Sequence, residues 1–262
     1  MIYQALAELE RNNAEGALCT VIRSQGSTPR HETSKMLVYP DGRILGSVGG
    51  GELENRVIAE ANQAILDGKA RLLTYNMSDP QRGDPGVCGG QVEIFVEPIH
   101  PKPTLVVVGG GHVGKAVTYL AKWLGFRVVV NDDRPEFCTP EAVPGADDYY
   151  PMPMRDLLTQ IKFTPQTYVV LTTRNVDVDM QGLPDFLESS AAYIGVIGSK
   201  RRWDTTRKKL LEAGISQERI ERVRSPIGLE LNAETPEEIA LSIMAEIIMW
   251  RRGGDGAPMK AD

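Results

Sequence analysis

The chain is poor in the residues that most often announce chemistry: three cysteines and three histidines in 262 residues. Cys19, Cys88 and Cys138 form no Cys-x-x-Cys pair and fall far below the density of a disulfide framework, so reduced thiols are expected. His31, His100 and His112 lack the spacing of a helical metal pair, which argues against a zinc site built from these six residues. No nucleophile-elbow pattern appears either. No stretch approaches the roughly 18 apolar residues of a membrane span, and Met1–Arg11 has neither the basic start nor the apolar middle of a signal peptide. The expectation is a cytoplasmic protein with no membrane segment. A basic excess is also missing: 29 Lys+Arg against 35 Asp+Glu leave a net charge of −6. That speaks against a nucleic-acid surface and leaves any anionic ligand to local donors. There is no internal repeat and no low-complexity segment.

What is present suffices for one large or two modest domains, with 42% hydrophobic and 24% charged residues. A boundary falls at Glu97-Pro98-Ile99-His100-Pro101-Lys102-Pro103, where closely spaced prolines should stop a helix or a central strand. Before it, Leu18–Arg23, Met36–Tyr39, Ile44–Ser47 and Val92–Val96 read as strands and Leu53–Leu66 as a helix. After it, strand and helix patterns alternate: Leu105–Val108, Val113–Leu124, Arg127–Asn131, Met154–Ile161, Tyr168–Thr173, Leu183–Ser189, Tyr193–Gly198 and Arg201–Ala213. The expected class is α/β: a smaller α+β domain over 1–100, then a Rossmann-like doubly wound parallel sheet over 101–254. Thr235-Pro236-Glu237-Glu238 predicts a capped last helix whose Ile239, Ile243, Ile247 and Trp250 pack on the sheet. Gly253-Gly254 should stop it, and the tail 255–262 is expected to be disordered.

The most informative run is Leu105-Val106-Val107-Val108-Gly109-Gly110-Gly111-His112-Val113-Gly114. Gly109-x-Gly111-x-x-Gly114 follows a strand and opens a helix, as a dinucleotide-binding turn requires. The first glycine allows the tight turn, the second lets the backbone approach a pyrophosphate, and the third lets helix and strand lie close. The next strand ends at Asp132-Asp133, about twenty residues on, where a ribose-binding carboxylate belongs. The bland alternative is a glycine turn with no ligand. His112 could donate to a phosphate or be a mere spacer.

Other loops are candidates. Gly198-Ser199-Lys200-Arg201-Arg202 combines a hydroxyl, basic residues and a helix start, either an anion site or a solvated first turn. In the front half, Gly26-Ser27-Thr28-Pro29-Arg30, Gly46-Ser47-Val48-Gly49-Gly50-Gly51-Glu52 and Gly83-Asp84-Pro85-Gly86-Val87-Cys88-Gly89-Gly90 hold more glycine than ordinary turns need. Gly49, Gly50 and Gly51 before a helical pattern form a second candidate anion nest. Cys88, flanked by Val87 and two glycines, is either a reachable thiol or a small buried residue.

Assembled in order, these blocks resemble the XdhC/CoxI accessory proteins of molybdenum hydroxylases. The resemblance also rests on Lys35-Met36-Leu37-Val38, Val92-Glu93-Ile94-Phe95-Val96-Glu97-Pro98, Asp132-Asp133-Arg134-Pro135, Pro226-Ile227-Gly228-Leu229 and Ala233-Glu234-Thr235-Pro236-Glu237-Glu238-Ile239-Ala240. It covers nearly the full chain. It implies a chaperone that holds the molybdenum cofactor, as molybdopterin or its dinucleotide, while a cysteine desulfurase installs a sulfido ligand. The cofactor then passes to a xanthine dehydrogenase-like apoenzyme, and a homodimer is expected. The implied cofactor contacts are Arg30, Gly49, Gly50, Gly51, Cys88, Gly89, Gly90, Gly109, Gly111, His112, Gly114, Asp132, Asp133, Ser199 and Lys200. Cys88, as a soft thiolate, is the candidate for approaching molybdenum. Competing readings are an NAD(P)- or FAD-dependent oxidoreductase and a nucleotide sensor. Two departures stand out: Thr33-Ser34 where the family often has Gly-Ala, and Arg174-Asn175-Val176-Asp177 where many members have Arg-Gly-His.

Overall fold

The computed structural model describes residues 1–28, 30–77 and 89–259. The chain divides into two compact units, Met1–Pro101 and Lys102–Asp262. Among the described residues no helix is long and apolar enough to cross a membrane.

The front unit is an antiparallel sheet with helices on its two faces. Helix α1 (Ile2–Arg11) precedes strands β1 (Gly16–Gln25), β2 (Lys35–Val38) and β3 (Ile44–Gly46). Helix α2 (Gly51–Asp67) leads into β4 (Arg71–Asn76) and β5 (Gln91–Ile99). The strand order is β3-β2-β1-β5-β4. Alternation along each strand separates the faces. Ala17, Cys19, Val21, Met36, Val38, Ile94 and Val96 meet Leu53, Val57, Ala61 and Ala64 of α2, which recur at helical spacing. Leu37, pointing the other way, packs under Ala5 and Leu9 of α1.

This topology has a consequence for the loops. The carboxyl ends of β1, β3 and β4 and the amino ends of β2, β5 and α2 all lie at one end of the sheet. The connections 26–34, 47–50 and 77–90 therefore start and finish at that end. They are the three glycine-rich loops of the sequence.

Strand β5 runs past the predicted stop, with Pro98 paired to Ala17. The pairing with β4 ends at Val96. Pro98 thus has a neighbour on one side only, where a missing N–H is tolerated. The connection between the units shortens to residues 100–103.

In the back unit, β6 (Thr104–Val108), α3 (His112–Trp123) and β7 (Arg127–Asn131) are followed by the short β8 (Asp148–Tyr150) and α4 (Leu157–Gln160). Then come β9 (Thr167–Leu171), α5 (Val176–Asp179), α6 (Leu183–Glu188) and β10 (Tyr193–Val196). The unit ends with α7 (Lys200–Glu212), α8 (Gln217–Ile220), β11 (Val223–Arg224) and α9 (Pro236–Arg252). The sheet is parallel in the order β11-β10-β9-β6-β7-β8. Counted from β6 this is the 3-2-1-4-5-6 order of a dinucleotide-binding fold read from the far edge, with its switch point between β6 and β9. Leu105, Val107, Val128 and Val130 face α3 and α9, while Val106, Val108 and Val129 face the layer of α4, α6 and α7.

Thr235 caps α9 in a full capping box, and Gly253 ends it in the left-handed region at φ 71°. Ile243 and Ile247 are fully buried, but Trp250 is 47% exposed. Its ring lies under the Arg224 guanidinium, 4.5 Å from the centroid, and its indole N–H donates to the Ala192 carbonyl at 3.1 Å. Seven residues beyond Ile243 it stays on the same stripe, and its ring meets that of the buried Tyr193 of β10 edge-on at 6.3 Å between centroids, so the expected packing on the sheet holds with part of the ring open to solvent.

Thr33 adopts φ 71°. A side chain with a Cβ there costs about 1–2 kcal/mol, and β-branching suits it least. This is the position where the resembled family often has glycine. Thr33→Gly should raise the unfolding free energy by about 1 kcal/mol in denaturant melts; an unchanged or lower midpoint would show that the turn carries no strain.

Candidate functional site

The glycine turn sits at the switch point of the parallel sheet, and its glycines do different jobs. Gly109 has φ 110° and lies against Thr172, whose hydroxyl donates to the Gly109 carbonyl at 2.7 Å. A Cβ on Gly110 would collide with the Phe137 carbonyl, and one on Gly114 with the Gly109 carbonyl. Gly111, the residue before α3, faces open space. His112, the first residue of α3, is exposed.

The carboxylates beyond β7 are already engaged. Asp132 is buried, and one of its oxygens accepts the Gly110 N–H at 2.9 Å and Arg134 Nη2 at 2.9 Å. The other accepts the Arg134 backbone N–H and Nε, both at 3.0 Å. Each oxygen has two acceptor positions, so the carboxylate is filled. Asp133 forms a two-pronged pair with Arg174 at 2.6 and 2.7 Å. That guanidinium holds the Asp133 carboxyl below the usual range through its hydrogen bonds and has its own pKa raised in return.

Around these pairs lies a shallow crevice with room for about one water. Val108, Met154 and Val178 supply apolar walls, and Asn131, Asp133 and Arg174 supply polar ones.

The basic loop after β10 does something other than the sequence suggests. Ser199 caps α7 by accepting the Arg202 N–H at 3.3 Å, and Lys200 is exposed. Arg202, the third residue of that helix, reaches back to the fully buried Asp179 at 2.7 Å and to the Thr173 carbonyl at 2.9 Å. It clamps the loop after β9. Nothing in the helical pattern of residues 201–213 separates this arginine from its exposed neighbours.

In the front unit, Gly50 and Gly51 take positive φ of 78° and 60° with open space where a Cβ would be. The nest they form is occupied by the chain itself. Glu54 Oε2, on the first turns of α2, accepts the Ser47 hydroxyl at 2.7 Å, the Val48 N–H at 3.3 Å and the Gly50 N–H at 3.2 Å. The Gly49 N–H goes to the Ser47 hydroxyl at 3.3 Å. Sequence reasoning expects an outside anion at this nest and does not single out Glu54.

Gly89 is exposed and Gly90 buried. The Gly90 Cα lies beside Gly26, and a Cβ on Gly90 would strike the Gln25 and Ser27 carbonyls. The Gly26–Thr28 and Gly89–Gly90 segments are therefore in direct contact. Arg30 is exposed, and its carbonyl accepts the Thr28 hydroxyl at 3.0 Å. Cys88 lies outside the described residues, as does Pro29. Cys19 and Cys138 are buried. Burial pushes the Cys19 thiol up to about 12 and raises that of Cys138. Neither supplies a thiolate near neutral pH. Among the described residues no group of three His, Cys, Asp or Glu side chains could hold a metal ion.

The chain is similar to known proteins. Residues 105–247 match the model of the XdhC Rossmann domain, and residues 9–76 match that of the XdhC and CoxI family. The chain belongs to the XdhC/CoxI family. Similar proteins include YqeB of Escherichia coli K12, 34% identical over 98% of this chain and 48% of that protein. Another, from Bacillus subtilis 168 and named as a probable subunit of xanthine dehydrogenase, is 34% identical over 61% of this chain and 46% of its own length. The chain thus spans about half the length of these two relatives. The E. coli molybdenum cofactor insertion chaperone PaoD is 25% identical over 89% of this chain and 83% of its own. A solved Bacillus halodurans structure described as a xanthine dehydrogenase shares the fold, with a TM-score of 0.53 and 23% identity over 96% of this chain and 95% of that one.

The two glycine loops can be tested separately. Gly114→Ala should destabilise the XdhC/CoxI protein by about 1–3 kcal/mol, because a buried backbone carbonyl must move, whereas Gly111→Ala should melt close to wild type. Equal melting of the two variants would contradict the distinction. Glu54→Ala should speed hydrogen exchange at the Val48 and Gly50 amides, and Glu54→Gln, which keeps an acceptor, should slow it again. Unaltered exchange in the alanine variant would show that the loop does not depend on Glu54.

Proposed function

We propose that the chain is a molybdenum cofactor chaperone, working as a homodimer: it holds the cofactor as cargo and delivers it to a xanthine dehydrogenase-like hydroxylase. The observation that carries this reading is the gathering of the front unit's glycine loops at one end of its sheet, with the Gly26–Thr28 loop seated on Gly90. These loops hold the blocks most particular to the family. The name of PaoD, which aligns over most of its length, supports the insertion role.

The cargo has a soft metal and at least one phosphate, and the reading divides them. Cys88 offers the soft thiolate, because the two described cysteines are buried thiols. Local backbone donors and Arg30 serve the anionic part, as the chain's negative charge demands. A cysteine desulfurase would act on the cargo while it is held. The oxidoreductase alternative would ask Asp132 or Asp133 to accept ribose hydroxyls, whereas Asp132 is filled by Gly110 and Arg134 and Asp133 is held in a two-pronged pair by Arg174.

The test is transfer. Wild type loaded with molybdenum cofactor, with the desulfurase present, should activate a xanthine dehydrogenase-like apoenzyme. Cys88→Ser should lower activation about tenfold or more with its melting temperature kept, and Cys19→Ser should activate as wild type does. Failure of wild type to bind or transfer the cofactor would overturn the proposal, and full activity of Cys88→Ser would remove that thiol from it.

A further inference from the structure

Helices α3 and α9 pack directly against each other on one face of the parallel sheet. Val117 and Ala121 of α3 and Ile243 and Ile247 of α9 turn toward that sheet and are buried. The opposite side of such helices is expected to be polar, and here it is not. Tyr119 and Trp123, four residues apart on the outer side of α3, are 70% and 78% exposed, and Leu241 of α9 is 55% exposed. An aromatic side chain covers about 150–250 Å2, so the two rings alone hold on the order of 300 Å2 open to water. That is more than a third of the roughly 800 Å2 each partner brings to a stable complex. A patch built on Trp and Tyr has the composition of an interface centre.

The charges beside the patch say what covers it. Helix α9 is acidic in its first turn, at Glu237 and Glu238, and basic in its last, at Arg251 and Arg252. A partner surface of one sign would match only one end of it. Along its outer side Glu237, Leu241, Ala245, Ile248 and Arg252 follow at helical spacing, and the order matches its own reverse, acid against base at the ends and aliphatic against aliphatic within. On α3, Lys115 and Trp123 stand four residues to either side of Tyr119. An inverted copy laid on this face sets each Lys115 ammonium over the other copy's Trp123 ring and each Glu237 against Arg252.

Both helices ask for the same axis. They run in the same direction, since the Arg251 guanidinium in the last turn of α9 lies over the Phe126 ring just past the end of α3, 5.5 Å from its centroid. Tyr119 is seven residues before that point and Ala245 six, about 10 Å along the helix in each case, so the two midpoints are level.

We propose that two copies of the chain pair face to face through α3 and α9, antiparallel, about a two-fold axis that crosses the helices at Tyr119 and Ala245. Each contact is then made twice, as such symmetry requires. This pairing supplies the surface of the homodimer in the chaperone reading above and rests on that reading for there being a dimer.

Light scattering of the full chain over a range of concentrations measures the pairing. Wild type should be a dimer, and Tyr119→Ala and Trp123→Ala should each raise the dissociation constant about tenfold or more with the circular dichroism spectrum kept. Glu237→Arg and Arg252→Glu should each weaken it severalfold, and the double variant should recover it, because the exchanged charges again meet opposite signs. In a Cys88→Ser background, with Cys19 and Cys138 buried, Ala245→Cys should cross-link copy to copy under mild oxidation. Lys208→Cys, exposed on α7 in the other helical layer, should not. A monomeric wild type, association unchanged in both aromatic variants, or no cross-link in Ala245→Cys overturns the inference. Cofactor transfer is measured on the aromatic variants as well. Transfer by a dimer that ignores these substitutions sinks this surface and leaves the chaperone reading standing, while the expected pairing in a chain that transfers nothing does the reverse. Loss of transfer with association unchanged assigns the face to the hydroxylase and overturns the pairing.

Discussion

Two of the glycine loops, that of residues 47–50 and the Gly109 turn, depend on a carboxylate of their own chain seated among backbone amides. Glu54 takes the Ser47 hydroxyl and the Val48 and Gly50 amides, and Asp132 takes the Gly110 amide. A loop rich in glycine loses more conformational entropy on folding than any other, so it needs a fixed anchor to hold one shape. A carboxylate provides it, because bonds to an ionised acceptor are about twice as strong as neutral ones. The amides that make a glycine loop look like an anion site are also the amides through which the protein orders that loop. A glycine nest in a sequence therefore identifies a place for negative charge without saying whose charge it is.

That distinction separates what is legible in the sequence from what is not. The run Leu105–Gly114 is readable because three constraints coincide there: a strand buried on both faces, a turn needing positive φ at Gly109, and a helix packed close enough to forbid a Cβ at Gly114. Helix α9 is readable from its capping box and terminal glycine. Strand β4 is not, since it is an edge strand whose alternate residues are only half-buried, and β8 and β11 are too short to show a period. Helix α1, by contrast, does carry its pattern in the sequence, with Ile2, Ala5, Leu6 and Leu9 at helical spacing, though it is short and buries only Ala5 and Leu9. At the site, the positions of the glycines are legible, but the roles of Glu54 and Arg202 are not. Those roles arise from partners 4 to 29 residues away, as Glu54 to Gly50 and Arg202 to Thr173 show, and a single sequence does not display such pairings.

The back unit carries its charge in closed pairs. Asp132 with Arg134, Asp133 with Arg174 and Asp179 with Arg202 each place a guanidinium on a carboxylate near the ends of β7 and β9. Such pairs add little net stability when the cost of removing both ions from water is counted, but breaking one strands the other. Their effect is geometric. Arg202 fixes the Thr173 carbonyl, Thr172 fixes the Gly109 carbonyl, and Asp132 fixes Gly110, so the strand ends that border the crevice are tied to one another.

With the charges engaged in this way, the carboxylates at these strand ends are committed to partners within the chain. That reverses the usual logic of a dinucleotide fold, where the helix terminus and the acidic residue after the second strand hold phosphate and ribose. Here that residue, Asp132, has become part of the scaffold, its acceptor positions taken by Gly110 and Arg134, and Asp133 beyond it is paired with Arg174. Gly111 keeps its open face, so the close backbone approach that the second glycine of such a turn permits is retained although the carboxylates after the second strand are committed within the chain.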